Sequence, residues 1–454
     1  MVTLVEVTTH AQRRAFVEFP TKLYRDVPQY IPNTFADDMD DWDPAKNPAF
    51  EYCEAKSWLA YRDGVIVGRI GAILSHRANE KWNTQRMRFS QVDFIDDDEV
   101  STALFGAVEN WARVKRCAEV HGPLGFTDLD REGMLVEGFD RQSCFFTYYN
   151  FPYYAEHLAR RGYVKDTDWV EYLISVPQDE ASAARWQKMS DYVQRHYPVH
   201  EYTAKTRLSY FHLLPDFFRL VNLCYEPLYG TVELSEKQIS KYAGKFAPLI
   251  NPKLASFVMN DRDEMVAFGV TAPSIARALK AHDGKLLPLG WADLLHAFGK
   301  NDTIDLFLVA IHPDYRKSGV GAIIINRVLH GCQEMGIRWA ETGPMLENNI
   351  QVHALWERFD FEQHKRRRCF IKRLDAGVED ADDLEARANH SPQSQPITSR
   401  SSWADSLPSP SSSTPNETCT LFDGVARNAR LNSKRFRSFS QTTSETFVDI
   451  SVSA

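Results

Sequence analysis

The chain has 454 residues, 43% of them hydrophobic and 12% aromatic, with a formal net charge of −8. At that length about three domains, or two and a tail, are expected; the apolar content suffices for packed cores and excludes collagenous, coiled-coil and wholly disordered classes. The acidic balance argues against a nucleic-acid partner, since phosphate recognition needs a basic surface.

The 7 cysteines (Cys53, Cys117, Cys144, Cys224, Cys332, Cys369 and Cys419) are scattered, without a CxxC pair or clustered histidines. This is the usage of a reducing compartment, and it points to neither a disulfide framework nor a zinc site. The start of the chain has no apolar signal core. The longest apolar run, around Gly319 to Ile325, is far short of the roughly 20 residues a membrane span needs. A soluble, cytoplasmic protein without a transmembrane segment is expected.

In chain order, an aromatic-rich helical stretch (FVEFPTKLYRDVPQYIP) precedes a hairpin, Trp58 to Leu74, whose turn is Asp63-Gly64 and whose second strand carries the small residues Gly68 and Gly71. A strand (MRFSQVDFI), an amphipathic helix over Asp98 to Val120, a strand ending in GPLGF, a helix (PYYAEHLARRGY) and a strand (DWVEYLISV) follow. About 200 residues further on the same order returns. Helical stretches lead to a hairpin over Ser256 to Ala272, with Ala267 and Gly269 as its small pair. Then come a strand (TIDLFLVAI), a helix (SGVGAIIINRVLHGCQEMG), a strand (IRWAETG), a helix (NIQVHALWERFDF) and a strand (KRRRCFIKRL). An α/β fold in duplicate is predicted, with a first unit over 1–200 and a second over 201–374. Beyond Leu374, Ser, Thr, Pro, Asn and acids replace the apolar periodicity, so 375–454 is expected to be a disordered tail.

The chemistry concentrates in DLFLVAIHPDYRKSGVGAIII. A strand ends near Pro313, and Arg316-Lys317-Ser318-Gly319-Val320-Gly321-Ala322 leads straight into a helix. Glycines at a helix start let backbone N–H groups converge where the helix dipole favours negative charge, so a diphosphate would fit there. Glycines serving turn geometry alone are the alternative.

In context this R-K-S-G-V-G-A segment resembles motif A of the GCN5-related N-acetyltransferases, R/Q-x-x-G-x-G/A after a strand. Asn349, Trp356 and Asp360-Phe361 fall where that family expects an Asn, an aromatic and a Gly-Phe. The resemblance covers about 205–374. It implies two tandem acyltransferase-like domains, each with a mixed sheet flanked by helices, and acetyl-CoA or a longer acyl-CoA held in a splayed opening of the second sheet. The pyrophosphate would lie on the N–H groups of Ser318, Gly319, Val320, Gly321 and Ala322, with Arg316 and Lys317 adding positive charge and Asn349 at the next helix start. The pantetheine arm would pair with the strand at Val309, Ala310 and Ile311. The implied reaction is direct, metal-free acyl transfer to an amine. The acceptor is either a small molecule or, as in long-chain N-acyltransferases, an amino-lipid, and a non-catalytic acyl-CoA binder is the remaining alternative.

At the matching place in the first unit stands Asp96-Asp97-Asp98-Glu99, which suits helix capping and would repel a diphosphate. One nucleotide site is therefore expected, with a degenerate first unit walling the substrate pocket. Asp305 on the strand before the loop and Glu341 at the end of the next strand are the candidate bases. Trp356 stands where the family's thiol-protonating tyrosine would be. Tyr315 is a weaker candidate acid than a turn residue, and the N–H of Ala310 or Ile311 is the candidate for polarising the thioester. The aromatics of Phe145 to Leu158 and Tyr225 to Gly230 are core or pocket lining. The basic run His364 to Arg368 reads as a solvated sheet edge.

Overall fold

The structure is a computed structural model that describes residues 1–203, 207–246, 250–287, 290–349, 356 and 358–374. The expected tail lies outside the described residues. The first unit contains β1 (Thr3–Glu6), α1 (His10–Leu23), α2 (Phe35–Asp41), β2 (Cys53–Arg62), β3 (Val65–Ser75), α3 (His76–Lys81), β4 (Arg86–Phe94), α4 (Asp98–Val114), β5 (Glu119–Gly122), β6 (Met134–Glu137), α5 (Tyr153–Arg160) and β7 (Val164–Ser175). A linking helix α6 (Glu180–His196) follows. The second unit contains β8 (Val199–Glu201), α7 (Leu214–Tyr225), α8 (Glu236–Phe246), β9 (Ala255–Asn260), β10 (Met265–Pro273), α9 (Ala276–Ala281), α10 (Gly290–Gly299), β11 (Thr303–Ile311), α11 (Gly321–Met335), β12 (Trp339–Thr342), β13 (Met345–Leu346) and β14 (Asp360–Arg373).

Local chemistry accounts for most of these boundaries. The Asp63-Gly64 turn of the first hairpin has both residues at positive φ, the mirror-image turn whose twist matches paired strands. Thr9 and Gln12 form a reciprocal capping box on α1, Asp179 caps α6, and α11 ends on Gly336 at φ +72. The small residues in the hairpins admit helices: a Cβ on Gly68 would stand 2.8 Å from Leu104 of α4, and one on Gly269 would stand 2.3 Å from Ile324 of α11. The 6 cysteines among the described residues are buried and free. No helix of the described residues is long and apolar enough to cross a membrane.

All strands join one mixed sheet in the order β1-β2-β3-β4-β5-β14-β7-β12-β11-β10-β9-β8, with β6 on β14 and β13 on β7. That order is palindromic in the duplicated units, except that each unit has given its last strand to the other. β7 closes the second unit by pairing with β12, and β14 closes the first by pairing with β5. The two exchanged strands pair with each other over almost their full length. The expected boundary at residue 200 falls inside β8, and the sheet runs continuously from one unit into the other.

The segments after the first helix of each unit also cross over. Lys280 donates to the Val27 carbonyl (3.1 Å) and Phe35 N–H to the Gly284 carbonyl (2.9 Å). In reciprocal fashion Lys81 donates to the Glu226 carbonyl (2.6 Å) and the Trp82 indole to that of Thr231 (3.1 Å).

The basic run misread as an edge lies at the centre of this sheet. Lys365 faces Glu171 across the β14–β7 ladder, and Lys365, Arg367 and Glu171 are fully buried. Side chains of a strand alternate between faces, so a one-residue slip would turn these charges into the opposite, apolar layer. The run could be central because the exchange supplies acids from the other unit.

Candidate active site

β11 and β12 run parallel and in register from Thr303↔Trp339 to Leu306↔Thr342, and there they part. Ile304 and Ala340 pack into the core beneath α11. Asp305 and Glu341, the next register pair, therefore lie together on the opposite face, immediately before the opening.

The edge of β11 beyond that point can be read from its pairing with β10. His312 N–H donates to the Val266 carbonyl, so Ile311↔Ala267 and Val309↔Gly269 are non-hydrogen-bonded pairs. The peptide groups of Val309 and Ile311 consequently face the opening, whereas Ala310 spends its N–H on β10. The two outward carbonyls accept from the Tyr225 hydroxyl (3.0 Å) and the Cys224 thiol (3.3 Å). The Val309 and Ile311 N–H groups are the donors directed into the opening.

The α11 entrance has no side-chain cap. Gly319 takes φ +79, a conformation glycine adopts at little cost. Ser318 N–H bonds to the Tyr315 carbonyl and Ala322 N–H to that of Gly319. Gly319, Val320 and Gly321 have no backbone acceptor for their N–H among the described residues. The expected five-donor cradle thus reduces to three. Arg316 Nε approaches the Ile311 carbonyl at 3.5 Å, and Lys317 is exposed.

Between α11 and the parting strands lies an almost wholly apolar cavity of about 110 Å3, the volume open to the centre of a water-sized sphere. Leu306 and Val309 of β11, Ala340 and Thr342 of β12, and Ile324, Val328 and Leu329 of α11 line it, with Ile174 and Val176 from the first unit. Trp356 also lines it, its indole donating to Met345 Sδ at 3.4 Å. Asn349 caps a turn through its N–H to the Leu346 carbonyl (3.0 Å), and the rest of the helix expected after it lies largely outside the described residues. The Tyr315 hydroxyl is near Asn260 rather than the opening (3.5 Å).

On the Asp305 side, Phe145 and Phe146 pack edge-on against Phe307 at 5.7 and 5.5 Å. Phe146 also covers Gly343 beyond β12, where a Cβ would stand 3.3 Å from its ring. An aromatic cover from the first unit thus spans the mouth of the second unit's opening. The rest of the Phe145 to Leu158 run divides: Tyr154 and Leu158 belong to the first unit's core.

The electrostatics separate the two candidate carboxylates. Asp305 is 0% exposed, and no donor reaches either carboxylate oxygen in hydrogen-bond geometry. Burial, reinforced by the negative charge of Glu341, pushes its pKa up to about 8, against weaker opposition from Ser274 and Lys365. For Glu341 burial acts in the same direction, but the Lys365 ammonium and His364 (3.3 Å) overcome it and hold this carboxyl well below the usual range. Lys365 bonds to both Glu341 and Glu171, the latter at 2.9 Å, and to the Gln142 carbonyl at 3.0 Å. Arg367 completes the pairing of Glu171. Sequence reasoning missed this buried lysine. The available signal was Glu171, an acid set in the otherwise apolar strand WVEYLIS.

Residues 215–361 match the model of the acetyltransferase (GNAT) family. The chain is 27% identical over 367 residues to Protein YghO of Escherichia coli (strain K12), covering 80% of this chain and 93% of that one. It is 26% identical over 296 residues to a bacterial ceramide synthase of Caulobacter vibrioides, covering 65% and 76%. Among solved structures it is similar to a tandem GNAT protein from the clavulanic acid biosynthesis pathway, with 13% identity, a TM-score of 0.47, and coverage of 84% of this chain and 100% of that one.

Proposed function

We propose that this chain, whose residues 215–361 match the model of the acetyltransferase (GNAT) family, is an acyl-CoA-dependent N-acyltransferase in which Asp305 is the general base. The observation that carries this reading is the fully buried Asp305 carboxyl beside Glu341 at the point where β11 and β12 part; burial and the neighbouring charge push its pKa up to about 8. A base titrating near the working pH combines a useful anionic fraction with enough basicity to take a proton.

The N–H groups of Gly319, Val320 and Gly321, with Arg316 and Lys317 nearby, suit the pyrophosphate of the co-substrate. Val309 and Ile311 offer donors to its pantetheine arm and to the thioester oxygen, where negative charge develops in the transition state. The acceptor nitrogen forms a bond to the thioester carbon, its proton passes to Asp305, and the carbon–sulfur bond breaks to release CoA thiolate. The proton taken up by Asp305 is then delivered to the thiolate, which leaves as CoA thiol and returns Asp305 to its anion. Glu341 supplies the fixed negative charge that keeps Asp305 basic, and Lys365 keeps Glu341 ionised.

Within this reading a long acyl chain on an amino-lipid acceptor is favoured over an acetyl group on a small polar amine. The support is the apolar lining of the cavity and the aromatic cover of Phe145, Phe146 and Phe307, together with the likeness to a ceramide synthase. Asp305→Asn tests the base. Turnover with an amine panel is expected to fall by about 10²-fold or more while acyl-CoA affinity holds, and wild-type kcat/KM should rise with pH through about 8. Undiminished turnover in the variant, or a flat profile, would remove Asp305 from this role.

A further inference from the structure

Where the units exchange partners, β5 and β7 of the first flank β14 of the second. His121 of β5 pairs with Ile371 of β14, and Cys369 lies two residues earlier on the same face of that strand. On the other side the register steps from Cys369↔Thr167 to Phe370↔Lys165, so Asp166 has no residue opposite it. It is the extra residue of a bulge, a device that re-aims a side chain. Its carboxylate stands 3.8 Å from His121 Nδ1, and one donor atom each of His121, Asp166 and Cys369 lie within 4.8 Å of one another.

Tyr229, from the segment after α7, adds a fourth donor. Its oxygen lies 3.0 Å from His121 Nδ1 and 3.6 Å from Cys369 Sγ, and it donates to Asp166. Tetrahedral zinc, with bonds of about 2.0 to 2.3 Å, holds its ligand atoms roughly 3.3 to 3.8 Å apart. The three separations of 3.0, 3.6 and 3.8 Å fall in or close to that range. The Tyr229–Asp166 contact opens as a metal takes the place of the hydroxyl proton. Imidazole and thiolate together favour zinc over magnesium or calcium, which take oxygen ligands.

A second cluster of this kind, Cys144, Glu171 and Glu341, already holds a cation, the Lys365 ammonium. The His121 cluster is centred on a hydroxyl, and Arg86 reaches only its rim, 3.6 Å from Asp166 and bonded to Glu119 at 2.8 Å. Arg88 stands beside it, held by backbone carbonyls. These guanidiniums repel a bare dication, but zinc bound by carboxylate, thiolate and phenolate carries net negative charge and attracts them. A cavity of about 120 Å3, lined by Arg86, Arg88, His121 and Tyr229, gives a route in.

We propose that His121 Nδ1, Asp166, Cys369 Sγ and the Tyr229 oxygen bind one zinc ion, with release of the thiol and phenol protons. Two ligands come from each unit, so the metal staples the exchanged strands. It sits where the first unit has the register counterpart of Glu341, takes no part in acyl transfer and does not rest on that reading.

The test uses the full chain, with zinc content measured by elemental analysis after dialysis and the metal then exchanged for cobalt. One zinc per chain is expected, together with the sulfur-to-cobalt charge-transfer band and the d–d bands of four-coordinate cobalt. Cys369→Ser should abolish the charge-transfer band. Asp166→Asn keeps the sulfur as reporter, so the same band read in a cobalt titration should show affinity weakened about tenfold or more. Cys53→Ala, outside the cluster, should change neither readout. A chelator should lower the Tm of wild type and leave that of Cys369→Ser unmoved. The proposal is overturned if dialysed wild type holds no zinc and cobalt gives no sulfur band, or if Asp166→Asn binds cobalt as wild type does. Zinc retained equally by wild type and both ligand variants is an adventitious ion only and overturns it as well.

Discussion

The two units share one plan and differ in chemistry at two places, the register pair of the parallel strands and the start of the helix that follows. At the register pair following the core pair of the parallel strands, the second unit has Asp305 and Glu341, and the first has Arg88 and His121. Arg88 is fixed by the carbonyls of Gly125 and Gly230, both at 2.8 Å. Burial pushes His121 down to about 4, so it is neutral, and it bonds the Tyr229 hydroxyl at 3.0 Å. At the following helix, α11 begins on open glycine N–H groups, whereas α4 is closed by Asp97. That carboxylate accepts from Val100 N–H (3.1 Å) and pairs with Arg62 (2.8 Å), which also holds Glu99 (2.9 Å). Asp96 and Asp98 pair with His157 at 2.9 and 3.2 Å. The acids therefore serve the structure of the first unit, while the corresponding backbone donors of the second remain available. The strand exchange ties the two copies together, each closing the other's sheet.

The largest effect is expected where the two copies meet. Lys365→Met leaves the buried Glu171 and the partly buried Glu341 with one cation fewer, and removing one partner of a buried ion pair costs about 3 to 5 kcal/mol, readable as a loss of denaturant stability. Lys365 keeps Glu341 ionised, and the Glu341 charge raises Asp305 more than the lysine lowers it, so loss of Lys365 lets Glu341 take up a proton and should move the pH–rate midpoint downward from about 8. Arg88→Met, at the matching place in the first unit, should reduce stability while leaving that midpoint where it is. Equal shifts in both variants would show that the asymmetry described here does not set the chemistry.

Next in size is the phosphate cradle. Gly319→Glu places a side chain at φ +79 and a negative charge beside the open donors, and acyl-CoA affinity should fall by about two orders of magnitude in calorimetry. Binding that survives this change would put the nucleotide somewhere other than the start of α11.

How much of this was legible in sequence follows from how local each determinant is. The Asp63-Gly64 turn, the glycines at 319 and 321 and the acids capping α4 act within a few residues, and composition and spacing expose them. Asp305 and Glu341 could be paired because consecutive parallel strands around one helix have a predictable register. The exchange of β7 and β14 could not be read, because the choice of partner rests on contacts about 165 residues apart for β7 with β12 and about 250 for β14 with β5. Lys365 was misread for the same reason: a charged strand looks like an edge until its acids arrive from another unit. The commitment of Ser318 and Ala322 N–H groups to the turn depends on backbone detail that residue identity does not specify.

The smallest predicted effect is the most direct check that the first unit's acids are structural. Asp97→Ala removes the α4 cap and one partner of Arg62, and such a cap contributes about 1 kcal/mol. Arg62 keeps Glu99, so its charge is not stranded. A domain of this size should show that loss as a drop of a few degrees in Tm, with acyl-CoA affinity and the pH–rate midpoint both unchanged, since neither Asp305 nor the start of α11 touches this helix end. Were acyl-CoA binding instead to tighten in Asp97→Ala, the N-terminus of α4 would be a second, masked anion site, and the first unit would have to be regarded as a repressed copy of the second.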